Sequence, residues 1–137
     1  MSNPESPIGS VAWTDLTVPD ADRIRRFYES VAGWVSVPLD MGGYEDFCMN
    51  TPATGETVAG ICHARGENAA LPAQWLIYIT VGDLEASMRQ CTALGGEVLS
   101  RPRDMGGQGR MVVIRDPSGA VAALFQTSAD ESGKAVL

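Results

Sequence analysis

The chain has 137 residues, of which 45% are hydrophobic and 20% charged, values typical of a single globular domain. Its 10 basic and 17 acidic residues give a net charge of −7. Because a nucleic-acid partner requires a basic surface, we expect no such partner. A small-molecule ligand is expected to be cationic or neutral rather than anionic. No apolar run approaches the ~20 residues of a membrane span, so we expect no membrane partner.

The first half of the chain predicts one strand, a helix and three further strands. Residues 11–18 alternate loosely between apolar and polar side chains, which is typical of a strand. Asp20 is a suitable helix N-cap and Gly33 a suitable C-cap. Between them, one helical stripe holds Ile24, Phe27, Tyr28 and Val31. Strands are expected at about 34–38, 44–50 and 56–63, with turns at Gly42-Gly43 and 52–55.

The second half predicts the same order of elements. Residues 64–73 are small and polar and read as a linker, and a strand follows at about 74–82. Asp83 is the expected N-cap of a second helix that ends at Gly95-Gly96. Its apolar stripe is Leu84, Met88, Cys91 and Leu94. Further strands are expected near 97–101, 109–115 and 120–126, and residues 127–137 are expected to form a flexible tail.

An internal repeat underlies this order. The segment from Leu16 to Asp20 recurs 63 residues later as Ile79 to Asp83, and Val58-Ala59-Gly60-Ile61 recurs at the same offset as Val121 to Leu124. Several matches at one offset indicate a duplication. The sequence therefore predicts an α+β domain over 9–126, with βαβββ module one at 9–63 and module two at 74–126. Paired, the two modules would leave a central cleft.

The cysteines and the N-terminus bear on the cellular compartment. The chain has an odd number of cysteines, Cys48, Cys62 and Cys91, and no C-x-x-C motif. Neither a disulfide framework nor a zinc knuckle is therefore indicated. The polar, acidic N-terminus lacks the pattern of a signal peptide. We therefore expect a cytoplasmic protein.

Three segments carry a resemblance to the vicinal oxygen chelate superfamily, also called the glyoxalase/bleomycin resistance/dioxygenase superfamily. They are Val11 to Leu16 with Pro19-Asp20, Phe27-Tyr28 with Gly33-Trp34, and Asp116 to Gly119 with Leu124-Phe125. The resemblance implies paired βαβββ modules in a half-open barrel with a central cleft, commonly in a homodimer. In the enzymes of this superfamily it also implies a divalent metal, held by the first and last strands of each module.

The resemblance places the four metal-ligand positions at Trp13, Gly60, Leu76 and Ala123. None of these side chains offers a nitrogen, oxygen or sulfur ligand of the kind such a site requires. We therefore expect no metal and no other cofactor. Metal-dependent lyase or dioxygenase chemistry through displaced ligands, namely Asp15, Cys62 or His63, is the least favoured hypothesis.

Strand alternation extends the ligand positions to further cleft-facing residues. Trp13 either offers a flat surface on which a ring stacks, or fills a metal site that has lost its ligands and stabilises the barrel. Asp15 is either a general base or cation-binding group, or a structural hydrogen-bond acceptor. Asp15 and Tyr78 are the candidate catalytic residues. The predicted ligand-binding set is Trp13, Asp15, Gly60, Cys62, Leu76, Tyr78, Arg110, Ala123 and Phe125.

Other chemistry-bearing residues favour plainer interpretations. His63 is the only histidine and points away from the face of Gly60, while Cys62 has no sequence neighbour that would activate it. The glycines at 106–109 are typical of a hairpin loop, and Arg110 just after them is a candidate contact for an acidic ligand group.

Two function classes remain in competition. The first is a metal-free protein that binds a small organic molecule in an apolar, aromatic-lined cleft. The second is a metal-independent isomerase or lyase of a small oxygenated metabolite that uses Asp15 or Tyr78 as acid or base. Binding without turnover would favour the first class, and loss of turnover in Asp15→Asn with the fold intact would favour the second.

Overall fold

The computed structural model describes residues 6–66 and 69–128. Within them two helices and nine strands follow one another, which confirms the predicted α+β class. They are β1 (Val11–Val18), α1 (Ala21–Ala32), β2 (Val35–Asp40), β3 (Glu45–Asn50), β4 (Thr57–His63), β5 (Trp75–Thr80), α2 (Leu84–Ala93), β6 (Glu97–Val98), β7 (Arg103–Asp104), β8 (Gly109–Arg115) and β9 (Val121–Thr127). Neither helix is long and apolar enough to cross a membrane.

The chain divides into two compact units, which do not coincide with the two predicted modules. The middle unit is Thr14–Trp75, and the flanking unit combines the residues up to Trp13 with those from Leu76 onward. The unit boundaries therefore fall inside β1 and β5 and not in the predicted linker. In the flanking unit the N–H of Gly9 donates to the carbonyl of Thr80 (2.8 Å), and the N–H of Thr80 donates to that of Ser10 (2.9 Å). The module limits themselves stay a prediction.

The middle unit orders its strands β2-β3-β4-β1, with α1 packed on one side. The apolar side chains that alternate along β1, β3 and β4 meet the helix there, because burial of this face is what stabilises a half-covered sheet. The core is Leu16, Val18, Ala21, Phe47, Met49, Ala59 and Ile61, with Ile24, Tyr28, Trp34 and Trp75 packed against it. The side chains that alternate with these core residues lie on the opposite face of the sheet.

The flanking unit repeats this plan. Its strands run β5-β9-β8-β6, and the two-residue β7 pairs with β8. Here α2 covers a core of Leu84, Val112 and Leu124, with Ile79, Val81, Met88, Val98 and Ile114 packed against it. The order of elements in each half is therefore βαβββ, interrupted in the second half by β7.

The duplication is visible in the strand register. In the middle unit Asp15 pairs with Gly60 across parallel strands β1 and β4. In the flanking unit Tyr78 pairs with Ala123 across parallel strands β5 and β9. Both members of the second pair lie 63 residues beyond those of the first. The repeat in the sequence thus corresponds to a repeat in backbone pairing.

Both predicted N-caps and the predicted C-cap of α1 are confirmed, whereas α2 ends at Ala93 with Leu94 as its C-cap, just before the predicted Gly95-Gly96. The carboxylate of Asp20 accepts a hydrogen bond from the N–H of Arg23, and that of Asp83 accepts one from the N–H of Ala86, each at 3.1 Å. Both satisfy an N–H that lacks a partner in the first helical turn. At the C-terminus of α1, Gly33 adopts a left-handed conformation with φ of 76°.

Both predicted apolar stripes are only partly buried, which corrects the sequence interpretation. On α1, Ile24 and Tyr28 pack on the core, but Phe27 and Val31 are 53% and 66% exposed. On α2, Leu94 follows the last helical residue and is 73% exposed. A helix on one side of a sheet buries a narrower arc than the four-residue stripe assumed.

The strand predictions near residue 100 were also partly wrong. The strand expected at 97–101 ends at Val98, and a separate strand, Arg103–Asp104, forms a hairpin with β8 through the glycine-rich turn. The last strand reaches Thr127, so it extends one residue into the predicted tail. The remainder of that tail from residue 129 lies outside the described residues.

Candidate functional site

The sheet face opposite α1 in the middle unit collects three of the predicted site residues. Asp15 pairs with Gly60, and Thr17 with Cys62, so these four positions share one face of β1 and β4. On β3, Cys48 pairs with Gly60 from the other side. Asp15 is only 8% exposed, and Gly60 is buried. This face is therefore polar at its buried end.

Asp46 joins the face as a second buried carboxylate, also 8% exposed. Its Oδ1 accepts a hydrogen bond of 2.8 Å from the backbone N–H of His63. The Nδ1 atom of His63 lies 3.4 Å from the same oxygen but forms no hydrogen bond within the part of the chain that the structure describes. The His63 ring packs edge-on against Tyr44, with centroids 5.8 Å apart. Asp46 thus fixes the end of β4.

Cys62 lies among these acidic groups. Burial raises the pKa of its thiol well above the ordinary value, and the charges of Asp15 and Asp46 raise the pKa further. The thiol is therefore protonated at neutral pH and is a poor nucleophile. Cys62 is partly buried, and these surroundings suit a small packing side chain rather than a nucleophile.

In the flanking unit the sheet face opposite α2 holds four further predicted residues, Leu76, Tyr78, Ala123 and Phe125. Tyr78 pairs with Ala123, and Thr80 with Phe125. The face is apolar and closely packed, since the exposed fractions are 5% for Leu76, 4% for Tyr78, 0% for Ala123 and 1% for Phe125. Trp13, which belongs to the same unit, is half-buried. The hydroxyl of Thr80 is buried and makes no hydrogen bond to a described residue.

Arg110 is separated from this group. On β8 it alternates with Met111 and Val113, which pair with Phe125 and Ala123, so Arg110 lies on the α2 side of the sheet. Its guanidinium makes two contacts of 2.8 Å with the carboxylate of Glu85. Together with neighbouring backbone of the glycine turn it lines a cavity of about 510 Å³. Its contact with an acidic ligand stays a prediction.

A family model supplies the identity of this arrangement. Residues 10–124 match the Glyoxalase/Bleomycin resistance protein/Dioxygenase superfamily. The chain belongs to this superfamily. The predicted resemblance is therefore confirmed, and the match spans both βαβββ halves.

Two similar relatives show how varied this superfamily is. The anthracycline biosynthesis protein DauV of Streptomyces sp. (strain C5) is 29% identical over 92% of this chain and 50% of its own length. The glyoxylase-like protein CFP32 of Mycobacterium bovis is 34% identical over 88% of this chain and 46% of its own length. The chain thus spans about half the length of the curated relatives it matches.

Solved structures share the fold at low sequence identity. Methylmalonyl-CoA epimerase from Mycobacterium tuberculosis superposes with a TM-score of 0.57 at 15% identity, covering 95% of this chain and 98% of the other. Methylmalonyl-CoA epimerase in complex with methylmalonyl-CoA and NH4+ gives 0.59 at 16% identity, covering 90% and 97%. At this identity the likeness establishes the fold alone.

The residues at the four positions that the resemblance assigns to metal ligands do not fit a metal. Trp13, Gly60, Leu76 and Ala123 present an indole, no side chain, an isobutyl group and a methyl group. Catalytic zinc sites take three protein ligands from histidine, cysteine or carboxylate side chains. Among residues 6–66 and 69–128, no three His, Cys, Asp or Glu side chains come close enough together to hold an ion. These four side chains therefore do not fit a metal ion, and the absence of a metal stays a prediction.

Sequence reasoning missed Asp46 and Cys48. Both lie on β3, and their side depends on the antiparallel register of β3 with β4, which pairs Phe47 with Ile61 and Cys48 with Gly60. The signal was present in the alternation of β3, because Phe47 and Met49 are the apolar members and the residues between them must face the other way.

Proposed function

We propose that this superfamily member binds a small organic molecule without a metal ion, against the sheet faces that lie opposite its helices. The proposal is carried by the residues at the four positions that the resemblance assigns to metal ligands, which are Trp13, Gly60, Leu76 and Ala123. A sheet face without metal-coordinating side chains can still offer apolar surface and a few polar groups. This is the usual composition of a small-molecule binding site.

The aromatic residue at the first of these positions supports a ring-bearing ligand. Trp13 is half-buried, and an indole is the kind of flat apolar side chain on which a ring stacks. The relatives fit this class of ligand, since one is named as an anthracycline biosynthesis protein and the other is glyoxylase-like. Both names point to small organic molecules and not to macromolecular partners.

Thermal-shift screening of chelator-treated protein tests the proposal. A ligand at 100 times its Kd stabilises the native state by about 2.7 kcal/mol, which is readily seen as a rise in Tm. We expect ring compounds to raise Tm equally with and without chelator. Trp13→Ala should weaken binding by roughly 3- to 10-fold, the range expected for loss of one aromatic contact.

Phe27→Ala is the matched control, because Phe27 is an exposed aromatic residue on the outer side of α1. It should leave binding unchanged. Binding that appears only after addition of a divalent metal, or that falls equally in both variants, would contradict the proposal.

Metal-independent acid–base catalysis is the second candidate. It is favoured by the placement of Asp15 and Tyr78 at equivalent register positions, where they are 8% and 4% exposed. A buried acid and a buried phenol are suited to proton transfer. Turnover of an oxygenated substrate that is lost in Asp15→Asn, while the circular dichroism spectrum is unchanged, would establish catalysis.

A further inference from the structure

The outer face of α1 differs in composition from the rest of this acidic protein. Five exposed residues recur along it at intervals of three and four positions, so they form one stripe on the solvent side of the helix. They are Arg23, Arg26, Phe27, Ser30 and Val31. The stripe contains no acidic residue, although the chain has 17 acidic and only 10 basic residues. This face is therefore apolar and basic, whereas the protein as a whole is acidic.

Phe27 and Val31 form the apolar centre of the stripe. Their exposed fractions are 53% and 66%, and they lie about one helical turn apart. The Phe27 ring packs edge-on against Tyr28 with centroids 5.0 Å apart, and the Tyr28 hydroxyl accepts a hydrogen bond from the indole of Trp75. Phe27 is thus held by a half-buried neighbour while much of its surface meets solvent. An aromatic side chain that is already ordered loses little freedom on binding, which suits the centre of a protein interface.

The charges along α1 are placed against its own dipole. Arg26 pairs with Asp22 at 2.6 Å, whereas Arg23 makes no ion pair with any residue that the structure describes. Arg23 lies in the first helical turn, where the helix dipole is positive, and the last turn carries no basic residue. The C-terminal end of α1, which would favour a cation, therefore has none of its own.

We propose that the outer face of α1 binds a second copy of this chain, with the two α1 helices packed antiparallel about a twofold axis. In this arrangement Phe27 of each copy contacts Val31 of the other, as twofold symmetry requires. Arg23 then lies near the C-terminal end of the other copy's α1, where the last carbonyl groups are partly negative. The contact surface is this helix face and not the sheet edge at β2.

Charge favours a second copy over an acidic partner protein. Two chains of net charge −7 repel each other, and the repulsion is smallest where the contacting faces carry no acidic side chain. An acidic partner would pair with Arg23 but would leave the C-terminal end of α1 without a cation. The twofold arrangement supplies both ends at once, because Arg23 of each copy serves the other.

Sedimentation velocity of the full chain between about 1 and 200 μM measures the association. A single helix pair buries less area than a standard interface, so we expect a Kd of roughly 10 μM. Phe27→Asp and Val31→Asp should each raise the Kd at least about tenfold, because each places a carboxylate in the apolar centre. Arg23→Ala should raise it about threefold at low ionic strength and less at high ionic strength, since salt screens the helix dipole.

Leu94→Asp is the matched control, because Leu94 is an exposed apolar residue, 73% accessible, that follows the other helix. It should leave the Kd unchanged. Urea midpoints measured at a concentration where every variant is monomeric should agree, which shows that the substitutions act on association and not on folding.

Disulfide cross-linking tests the orientation of the helices. The twofold axis passes midway between Phe27 and Val31, so Ser30 lies beside it, whereas the two copies of Arg23 are about 18 Å apart along the helices. Ser30→Cys should therefore form an intermolecular disulfide under mild oxidation, and Arg23→Cys should not. The unmutated chain, with its three free cysteines, measures the background.

Three results would overturn the proposal. One is a chain that stays monomeric at about 200 μM, well above the expected Kd. Another is a dimer that Val35→Asp on β2 dissociates while Phe27→Asp leaves it intact, which would assign the contact to the sheet edge. The third is cross-linking through Arg23→Cys but not through Ser30→Cys, which would exclude the antiparallel arrangement. Ligand binding is measured separately, so each of these results leaves the proposed function standing.

Discussion

Asp15 lies directly opposite Gly60 in the parallel pairing of β1 with β4. The corresponding residues of the second half, Tyr78 and Ala123, lie opposite each other in the same way. In each half a residue without a side chain or with only a methyl group thus lies beside a buried polar side chain. This shared geometry places Asp15 and Tyr78, the two candidate catalytic residues, at equivalent positions of the repeat.

The thiol of Cys62 should react more slowly with alkylating reagents than the other cysteines of the native protein. Burial beside Asp15 and Asp46 raises the pKa of its thiol, so little thiolate is present at pH 8. We expect iodoacetamide to modify Cys62 at least about 100-fold more slowly in the native protein than in urea. Peptide mass spectrometry measures the two rates. Comparable rates in the two states would contradict the described environment.

The same shift predicts a direction for stability with pH. The pKa of the Cys62 thiol is raised in the native state. Its contribution to the free energy of unfolding is therefore complete below the unfolded thiol pKa of about 8.5 and is lost as the pH rises above that value. Urea midpoints measured between pH 7 and pH 10 should fall less in Cys62→Ala than in the unmutated protein. An equal fall in both would show that Cys62 contributes nothing to this dependence.

The two helix caps should be of similar strength. Asp20 and Asp83 each accept a hydrogen bond of 3.1 Å from the third residue after them, so Asp20→Ala and Asp83→Ala should each cost about 1 kcal/mol of unfolding free energy. Urea denaturation measures the loss. Asp20→Asn and Asp83→Asn are the controls, since asparagine caps equally well, and a full loss in the asparagine variants would argue against capping as the cause.

Trp75 and Tyr28 should be energetically coupled. The indole Nε1–H of Trp75 donates to the Tyr28 hydroxyl at 3.1 Å, and their ring centroids are 5.3 Å apart. Tyr28→Phe and Trp75→Phe should each destabilise the protein, and the double variant should cost less than the sum by about 0.5–1.5 kcal/mol. Additive losses in this double-mutant cycle would mean that the hydrogen bond contributes no net stability.

Protein purified without chelator should retain no stoichiometric divalent metal. The prediction rests on the side chains of Trp13, Gly60, Leu76 and Ala123, which supply no ligand. Elemental analysis after dialysis against zinc, nickel, iron and manganese salts provides the measurement. One equivalent of retained metal that disappears in Asp15→Asn or Cys62→Ser would revive a displaced metal site.

The chain should form a C2 homodimer. The motivation is its exposed sheet edge, because β2 is an edge strand of the middle unit with a row of exposed apolar side chains. Sedimentation velocity at micromolar concentration distinguishes the states. Val35→Asp serves as the variant that should weaken association if this edge takes part, and a chain that sediments only as monomer would refute the prediction.

The elements that sequence predicted well are those with local causes. Asp20, Asp83 and Gly33 cap helices through their own side chains or backbone freedom, so their effect is visible without the fold. The 63-residue repeat fixed the order of strands because both copies obey one plan. Periodicity alone overstated the buried stripe of α1, since the exposure of Phe27 depends on the width of the sheet below the helix.

The candidate site was predicted only where alternation along one strand sufficed. Cys62 and Phe125 followed from their positions relative to Gly60 and Ala123. Asp46 did not, because its place beside Cys62 depends on which residue of β3 lies opposite Gly60. Arg110 was grouped with cleft residues, whereas the register of β8 places it on the α2 side. Cross-strand register, set by loop lengths and distant packing, is not readable from a single sequence.

The hydrogen bonds of Gly9 and Ser10 with Thr80 have a consequence for any attempt to cut the chain in two. Cleavage within the predicted linker at 64–73 would leave a C-terminal fragment whose Thr80 has lost the partners of both its backbone groups. Such a fragment should recover native structure only when the N-terminal fragment is added back with Gly9 and Ser10 present. A shortened partner that begins at Thr14 should fail to complement it, although it carries the whole middle unit up to the cut.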